Sequence, residues 1–319
     1  MREYILRRAL ATVPVLLGVS IIIFLLMRVL PGDVATGLLI SGEGGGVGGS
    51  EAVQRLREEL GLHRPLHEQY VSWLAQALRG DLGFSYWFNR PVAAEIAQAL
   101  PVTVELALLG FLLSLLIALP IGVLSAIRQD SWQDYAGRLF AIGGLSVPEF
   151  WVGTLMVLLP LWWFGWIPPV RFTPFFDDPW ENLQQVGLPA LALGLHDASS
   201  VMRLLRSQML EVLRQDYIRT AWAKGLRERT VIVRHTLKNA LIPVVTFLGI
   251  RAGRLLGGTV VLEQVFTLPG MGRLVVQAVV LKDYQVVQGV VLLFALAFVL
   301  VNLLVDLLYA WFDPRIRYA

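Results

Sequence analysis

Cysteine is absent from this chain of 319 residues, which excludes disulfide frameworks and thiolate chemistry. Charged residues are scarce as well. Asp, Glu, Lys and Arg make up 16% of the sequence, whereas soluble domains carry about 25%. The net charge is only +3, so the pI near 9.3 indicates basic loops and not a surface for nucleic acid.

Sequence motifs for nucleotide binding and hydrolysis are also missing. The chain contains no G-x-x-x-x-G-K-[ST] P-loop and no Gly-x-Ser-x-Gly elbow. The string at 44–49 matches the dinucleotide fingerprint, but no strand precedes it, so we interpret it as a linker. His63 and His67 have the spacing of a zinc pair, yet Pro65 disfavours a helix between them. We therefore expect no cofactor or metal to be bound by this chain.

Long uncharged stretches are what the sequence has instead. No charged residue occurs between Arg8 and Arg28, from Leu106 to Ile127, or from Tyr284 to Val305. About 20 apolar residues in a helix cross a hydrocarbon core of about 30 Å. The sequence therefore predicts an all-α integral membrane protein. Three less pure segments bring the expected transmembrane helices to six: 9–29, 102–127, 139–164, 185–205, 239–262 and 285–308.

The distribution of Lys and Arg predicts the orientation in the membrane. These residues concentrate at both termini and in the loops 128–138 and 206–238, whereas the alternate loops are poor in them. Because Lys and Arg favour the cytoplasmic side, we expect both termini in the cytoplasm. The segment 31–101 then lies outside as a small helical external loop, with helices expected at 51–60 and 66–79.

The cytoplasmic segment 206–238 contains residues that a solvated basic loop does not require. Tyr217, Ala221 and Trp222 are the clearest examples, and Leu226 adds further apolar surface. Their spacing predicts a short helix at 217–227 that offers apolar side chains to a partner protein and ends at Gly225.

Small residues recur in the fifth expected span. Gly249, Gly253 and Gly257 are four residues apart, a spacing that lets helix backbones approach closely. Packing within the chain and packing against a partner subunit around a pore both fit this pattern.

Ionisable residues inside the expected spans are candidates for lining a translocation path. They are His196, Asp197, Arg251 and Arg254. Such residues face an aqueous cavity or pair with one another. The two arginines therefore either line the path and favour carboxylate substrates, or one of them forms a structural ion pair with Asp197 or Glu263.

Three other function classes remain open on the residues alone. The same intramembrane charges suit an ion-coupled secondary transporter. For a membrane hydrolase, His196 with Ser199 or Ser200 is the best pair that the chain offers. A receptor or scaffold without transport activity is the third alternative. The secondary transporter does not explain the segment 217–243, the hydrolase has no apparent third catalytic group, and the receptor or scaffold leaves the intramembrane charges without a purpose.

This segment resembles the signature of binding-protein-dependent ABC importer permeases. That signature has Glu-Ala-Ala, three residues, Gly, and later a hydrophobic residue with Pro. Here Arg219-Thr220-Ala221 is followed by Gly225 and then by Ile242-Pro243. Arg-Thr replaces Glu-Ala, and the spacing from Gly to Pro is longer. Both departures resemble the dipeptide, oligopeptide and nickel branch of the family.

The resemblance extends along nearly the whole chain. It includes Leu30-Pro-Gly-Asp33, Leu60-Gly-Leu62, Arg79-Gly-Asp-Leu-Gly83, Leu188-Pro-Ala190, Pro269-Gly-x-Gly272 and Asp313-Pro-Arg315. It implies a single ABC importer transmembrane domain over 1–319, with 31–101 as the external loop and 206–238 as the cytoplasmic coupling loop.

The resemblance also implies a transport subunit that is not itself an enzyme. Its partners would be a second homologous permease, two cytoplasmic ATPases that hold ATP and Mg²⁺, and an extracytoplasmic solute-binding protein, all at the cytoplasmic membrane and its lipid. The helix at 217–227 would dock on an ATPase through Tyr217, Ala221, Trp222, Gly225 and Leu226. Peptides are the expected cargo, although family members also carry nickel chelates, glutathione or oligosaccharides.

Overall fold

A computed structural model describes residues 2–29, 54, 57–58 and 61–312, without the side chains of 2–9, 254–256 and 306–312. Within these ranges the chain is almost entirely helical. The helices are α1 (Arg2–Val29), α2 (Leu66–Leu78), α3 (Val92–Ile127), α4 (Trp132–Ser146), α5 (Glu149–Phe164), α6 (Pro179–Leu213), α7 (Asp216–Ala223), α8 (Glu228–Thr230), a π-helical segment (Val231–Leu237), α9 (Lys238–Val265), α10 (Met271–Leu281) and α11 (Tyr284–Phe312).

One small β-hairpin departs from the expected all-α structure. Strand β1 (Phe84–Ser85) pairs antiparallel with β2 (Arg90–Pro91). Two residues per strand are too few to give the alternating pattern by which strands are found in a sequence. The helix expected at 66–79 is confirmed by α2, whereas the helix expected at 51–60 falls mostly outside the described residues.

Several helices are long and apolar enough to cross a membrane. Among the described residues they are Leu10–Val29, Val92–Ile127, Glu228–Gly253 and Tyr284–Val305. The prediction of a multi-pass membrane protein is thereby confirmed. The expected span 185–205 lies within α6, which is not among these candidate spans.

The expected span at 139–164 is not one straight helix. Its residues belong to two helices, α4 and α5, which meet at an angle of 98°. Pro148 explains the break, because proline disfavours a helical conformation in the residue before it. Val147 accordingly has extended dihedrals, with φ −96° and ψ 126°. The pair forms either a broken span or a re-entrant segment.

The chain divides into two compact units, and the first comprises residues 1–102 and 269–303. Its apolar core collects residues from α1, α3, α10 and α11: Met27, Val92, Ile96, Ala99, Met271, Leu274, Ala278, Tyr284, Val286, Val287 and Val290. The hairpin is attached to the start of α11, because Ser85 Oγ donates to Asp283 Oδ2 at 2.5 Å. A second bond runs from Phe84 N to Gln285 Oε1 at 2.7 Å.

The second unit comprises residues 103–268 and 304–319 and is built around α6. Asp178 caps this helix, because its side chain accepts hydrogen bonds from Trp180 N and Glu181 N, each at 3.0 Å. A cluster of buried residues joins α6 to α3, α4 and α9: Ala118, Ala126, Ala141, Ala198, Val201, Met202, Leu205, Met209, Ala240 and Val244.

Close backbone approach occurs between α3 and α6. A Cβ added to Gly194 would lie 3.0 Å from the carbonyl oxygen of Gly110, which leaves no space for a side chain. The glycine row expected to pack in the fifth span is different. Gly249 and Gly253 are buried, but a Cβ on Gly257 would meet no described atom within 4 Å.

Candidate functional site

Helix α7 attaches to the rest of its unit through one apolar face. Ile218 and Ala221 are buried on this face together with Val231 of the π-helical segment. Val212, near the end of α6, packs against them. The expected cytoplasmic loop 206–238 is therefore largely helical, and α7 is joined to helices on both sides of it in the sequence.

Two large aromatic side chains of α7 flank its buried face and are partly exposed to solvent. Tyr217 is 45% exposed, Trp222 is 46% exposed, and Leu226 just beyond the helix is 37% exposed. The expectation that Ala221 faces a partner with Tyr217 is wrong. Ala221 lies three residues after Ile218, and residues three apart share a helix face, so burial of the larger Ile218 turns Ala221 inward.

The helix ends in a left-handed turn at Gly225, as the sequence predicts. Gly225 has a φ of +73°, a conformation that side chains disfavour. Its N–H donates to Trp222 O at 2.9 Å, and Leu226 N donates to Ala221 O at 3.3 Å. These two bonds form a Schellman motif, which satisfies the last carbonyl groups of the helix.

A side-chain hydrogen bond links α7 to the start of α9. Asn239 Nδ2 donates to Tyr217 Oη at 3.0 Å and to the carbonyl of His235 at 2.7 Å. Helix α7 is therefore bonded to α9 as well as packed against α6.

A buried ion pair clamps α6 to α4. Arg206 donates to both oxygens of Asp134, from Nε at 2.6 Å and from Nη2 at 2.7 Å. Ser125, near the end of α3, donates to the same carboxylate at 2.5 Å. Asp134 is fully buried, and a two-pronged arginine contact fixes both distance and orientation. Three helices are thus held together seven residues before α6 ends.

A second ion pair lies between α6 and α9. Arg251 Nη1 donates to Asp197 Oδ1 at 2.7 Å, and Nη2 donates to Ser200 Oγ at 2.8 Å. The structure thus supports the pairing interpretation of Arg251. The side chain of Arg254 lies outside the described side chains.

The neighbouring residues of this pair do not form a catalytic arrangement. His196 Nδ1 is 3.0 Å from the carbonyl oxygen of Gly144, and Ser199 Oγ donates to Leu195 O at 2.9 Å. Neither Ser199 nor Ser200 is hydrogen-bonded to His196 within the part of the chain that the structure describes. The described residues also include no cluster of three His, Asp or Glu side chains that could hold a metal ion.

Comparisons with known proteins agree with one another. The family described as binding-protein-dependent transport system inner membrane component matches residues 118–318. The N-terminal domain of the corresponding membrane components matches residues 1–107. The chain belongs to this family of permeases.

Full-length relatives support the same assignment. A Brucella abortus protein named as a peptide transport system permease is 45% identical over all of both chains. A dipeptide transport system permease of Alkalihalophilus pseudofirmus is 39% identical, and a glutathione transport system permease of Salmonella typhi is 41% identical, again with full coverage of both.

A solved structure shares the fold of this permease. It is a crystal structure of an amino acid ABC transporter with histidines, and its matched chain superposes with a TM-score of 0.52 at 16% identity. The match covers 70% of this chain and 94% of the other. The permease is therefore the membrane subunit of an ABC importer and not an ion-coupled secondary transporter or an enzyme.

The sequence predicted the segment of the permease around α7, but not the ion pair that holds the neighbouring helix α6 in place. Tyr217, Trp222 and Gly225 were identified from their spacing. The clamp between Asp134 and Arg206 was not, because 72 residues separate its members. The available signal was Asp134 itself, which lies shortly after the expected span 102–127. A carboxylate that is buried there needs a cation.

Proposed function

We propose that this permease moves peptides or similar small solutes into the cell. The relatives named for peptide, dipeptide and glutathione transport cover the full chain at 39% to 45% identity. In this proposal the working complex contains a second homologous permease, two cytoplasmic ATPases and an extracytoplasmic solute-binding protein. The ATPases hold ATP and Mg²⁺, in keeping with the missing P-loop. The complex lies in the cytoplasmic membrane, in contact with lipid.

The proposed topology keeps six crossings in one transmembrane domain over 1–319. The bent pair α4–α5 supplies the third crossing and α6 the fourth. Both termini and the segment 206–238 lie in the cytoplasm, and 31–101 lies outside. The basic residues of 206–238 support this orientation, because Lys and Arg favour the cytoplasmic side.

The observation that carries the coupling role is that α7 is both packed on its own unit and exposed. Ile218 and Ala221 are packed on Val212 and Val231, and Tyr217 and Trp222 on either side of them form an exposed aromatic face. A partner that binds the aromatic face moves the attached helices with it. Aromatic side chains are typical anchors of protein interfaces.

In the proposed cycle an ATPase binds this aromatic face through Tyr217, Trp222 and Leu226. When the two ATPases close on ATP, α7 moves with its ATPase and shifts α6 and α9 as a body. We place the translocation path along the faces of α6 and α9 that carry His196, Asp197, Arg251 and Arg254. The ion pair of Asp197 with Arg251 then fixes the geometry of this lining.

The coupling role is tested by placing a charge on the exposed face of α7. Trp222→Asp should abolish ATP-dependent import in proteoliposomes that contain the full complex, and ATPases should no longer co-purify with the permease. Trp180→Asp is the matched control. Trp180 is 73% exposed, lies at the start of α6 and is on the external side of the proposed topology. Unimpaired import by Trp222→Asp would contradict the proposal.

A further inference from the structure

A polar cleft in the first compact unit is not explained by the coupling role. It lies where the end of α1, helix α2, the hairpin and the start of α11 come together, and its cavity volume is about 130 Å³. Arg28, Glu68, Trp73, Tyr86, Asp283 and Gln288 are among the side chains that line it.

Arg28 presents a partly free guanidinium group at this cleft. Its Nε donates to Gln69 Oε1 at 3.0 Å, and its Nη1 donates to the carbonyl of Phe24 at 3.2 Å. The group stacks on the Phe24 ring at 3.4 Å from the centroid. Nη2 has no partner among the described residues, and no described carboxylate lies within 4 Å of this arginine. The position of the cation is thus fixed while part of its hydrogen-bonding capacity is unused.

Two buried donors in the cleft wall also lack an acceptor. The indole Nε1 of Trp73 and the amide Nε2 of Gln288 have no hydrogen-bond partner among the described residues. Gln288 is only 2% exposed. An unsatisfied buried donor costs about 1–3 kcal/mol, so a site that keeps two of them is unusual unless something else binds there.

Two acceptors in the cleft wall are engaged, unlike the two N–H donors. Asp283 accepts from Ser85 Oγ and from Val286 N, and Gln285 Oε1 accepts from Phe84 N. The lining also includes the guanidinium groups of Arg28 and Arg64 and the carboxylate of Glu68. The two N–H donors still need acceptors. A solute carboxylate matches these donors and the arginines, because it only accepts hydrogen bonds and carries the opposite charge.

We propose that this cleft binds the carboxylate of a small peptide-like solute. The proposal rests on the proposed function, in which the cleft lies on the external side and meets the solute before or during its release into the path. Arg28 supplies the positive charge, and the N–H groups of Trp73 and Gln288 donate hydrogen bonds that orient the carboxylate.

Trialanine and trialanine amide are the probes, since they differ only at the carboxylate. Equilibrium dialysis of each labelled probe against the purified permease complex in lipid nanodiscs, without ATP and without binding protein, measures the site directly. Trp73→Phe removes the indole N–H and keeps the ring, and should weaken trialanine binding by about 10-fold, the usual effect of one charge-assisted hydrogen bond. Binding of the amide should already be weak and should not change.

Trp87→Phe is the matched control, because Trp87 Nε1 is also buried without a partner but does not line the cleft. This variant should bind trialanine as the unmodified protein does. Gln288→Leu removes the second donor at similar volume and should also weaken trialanine selectively.

Equal binding of the two probes, equal effects of Trp73→Phe and Trp87→Phe, or no trialanine binding at about 10 mM would overturn the proposal. ATP-dependent import of trialanine, measured separately with the binding protein, distinguishes this failure from failure of the proposed function. Normal import with no cleft binding would refute the cleft alone.

Discussion

Arg251 is held by an anion and a hydroxyl of α6, and this contact favours the pairing interpretation of an arginine inside the membrane. A free arginine in a span costs at least about 2.5–3.5 kcal/mol, so such a side chain pairs or faces water. Asp197 is 7% exposed and Ser200 is 7% exposed. The carboxylate of the pair is therefore shielded from water, and the pair joins α6 to α9.

Removal of one partner of this ion pair should destabilise the permease more than removal of both. Arg251→Met leaves the Asp197 carboxylate buried without a cation, which costs about 3–5 kcal/mol. The double variant Arg251→Met with Asp197→Leu leaves no charge and should recover much of that loss. Equilibrium unfolding in mixed micelles measures the free energy of unfolding of the unmodified permease, of Arg251→Met and of the double variant.

Arg219→Met is the control for this series, since Arg219 forms only an exposed contact with Asp216 at 3.5 Å and surface pairs contribute little. A double variant no more stable than Arg251→Met would show that the ion pair does not account for the loss. Selective slowing of anionic solutes by Arg251→Gln would instead support direct contact with cargo.

The sequence predicted which residues matter here better than it predicted their contacts. Asp197 and Arg251 were recognised because a charge in an apolar stretch needs a reason. Whether Arg251 meets Asp197 depends on the rotation of α9 against α6, and one sequence does not specify that rotation.

At the scale of elements, α7 and its turn form the segment best predicted from the sequence. Its structure depends on residues close together in the sequence. The spacing of the aromatic residues and alanine predicts the helix, and Gly225 ends it. The break between α4 and α5 was also marked locally, by Pro148, but the long apolar composition on both sides hid it. The hairpin was missed because its hydrogen bonds to Asp283 and Gln285 come from residues about 200 positions away.

The turn at Gly225 should tolerate substitutions according to backbone preference and not according to size. A Cβ at Gly225 would meet no described atom within 4 Å, so the positive φ is the constraint. Asn adopts this conformation readily, Ala at a cost of about 1–2 kcal/mol, and β-branched residues poorly. Import per ATP hydrolysed in proteoliposomes should therefore be nearly normal for Gly225→Asn, reduced for Gly225→Ala and lowest for Gly225→Val.

Gly143→Ala provides the comparison at a glycine with the same open surroundings but a helical backbone. A Cβ there also meets nothing within 4 Å, and Gly143 lies inside α4, where alanine is the better helix former. Import should be unchanged in this variant. If Gly225→Asn and Gly225→Val gave the same import per ATP hydrolysed, the conformation of the turn would not be the property that coupling requires.

At the scale of the whole molecule, the number of crossings depends on the bent pair α4–α5. If the pair crosses the membrane, the segment between α5 and α6 lies outside together with α2. If the pair re-enters, that segment lies in the cytoplasm, and the chain has fewer crossings. Hydropathy alone does not distinguish these cases, because both bury the same apolar residues in lipid.

Single cysteines in this cysteine-free chain distinguish the two cases. His67→Cys in α2, Phe176→Cys before α6 and Lys224→Cys after α7 all replace exposed side chains. With six crossings, a membrane-impermeant thiol reagent added to intact cells should label positions 67 and 176, and should label position 224 only after the membrane is opened. Labelling at 67 but not at 176 would make α4–α5 a re-entrant segment and leave the orientation of α2 intact. Labelling at 224 from outside would remove the cytoplasmic site that α7 requires, because an ATPase meets only the side of the membrane on which ATP is present.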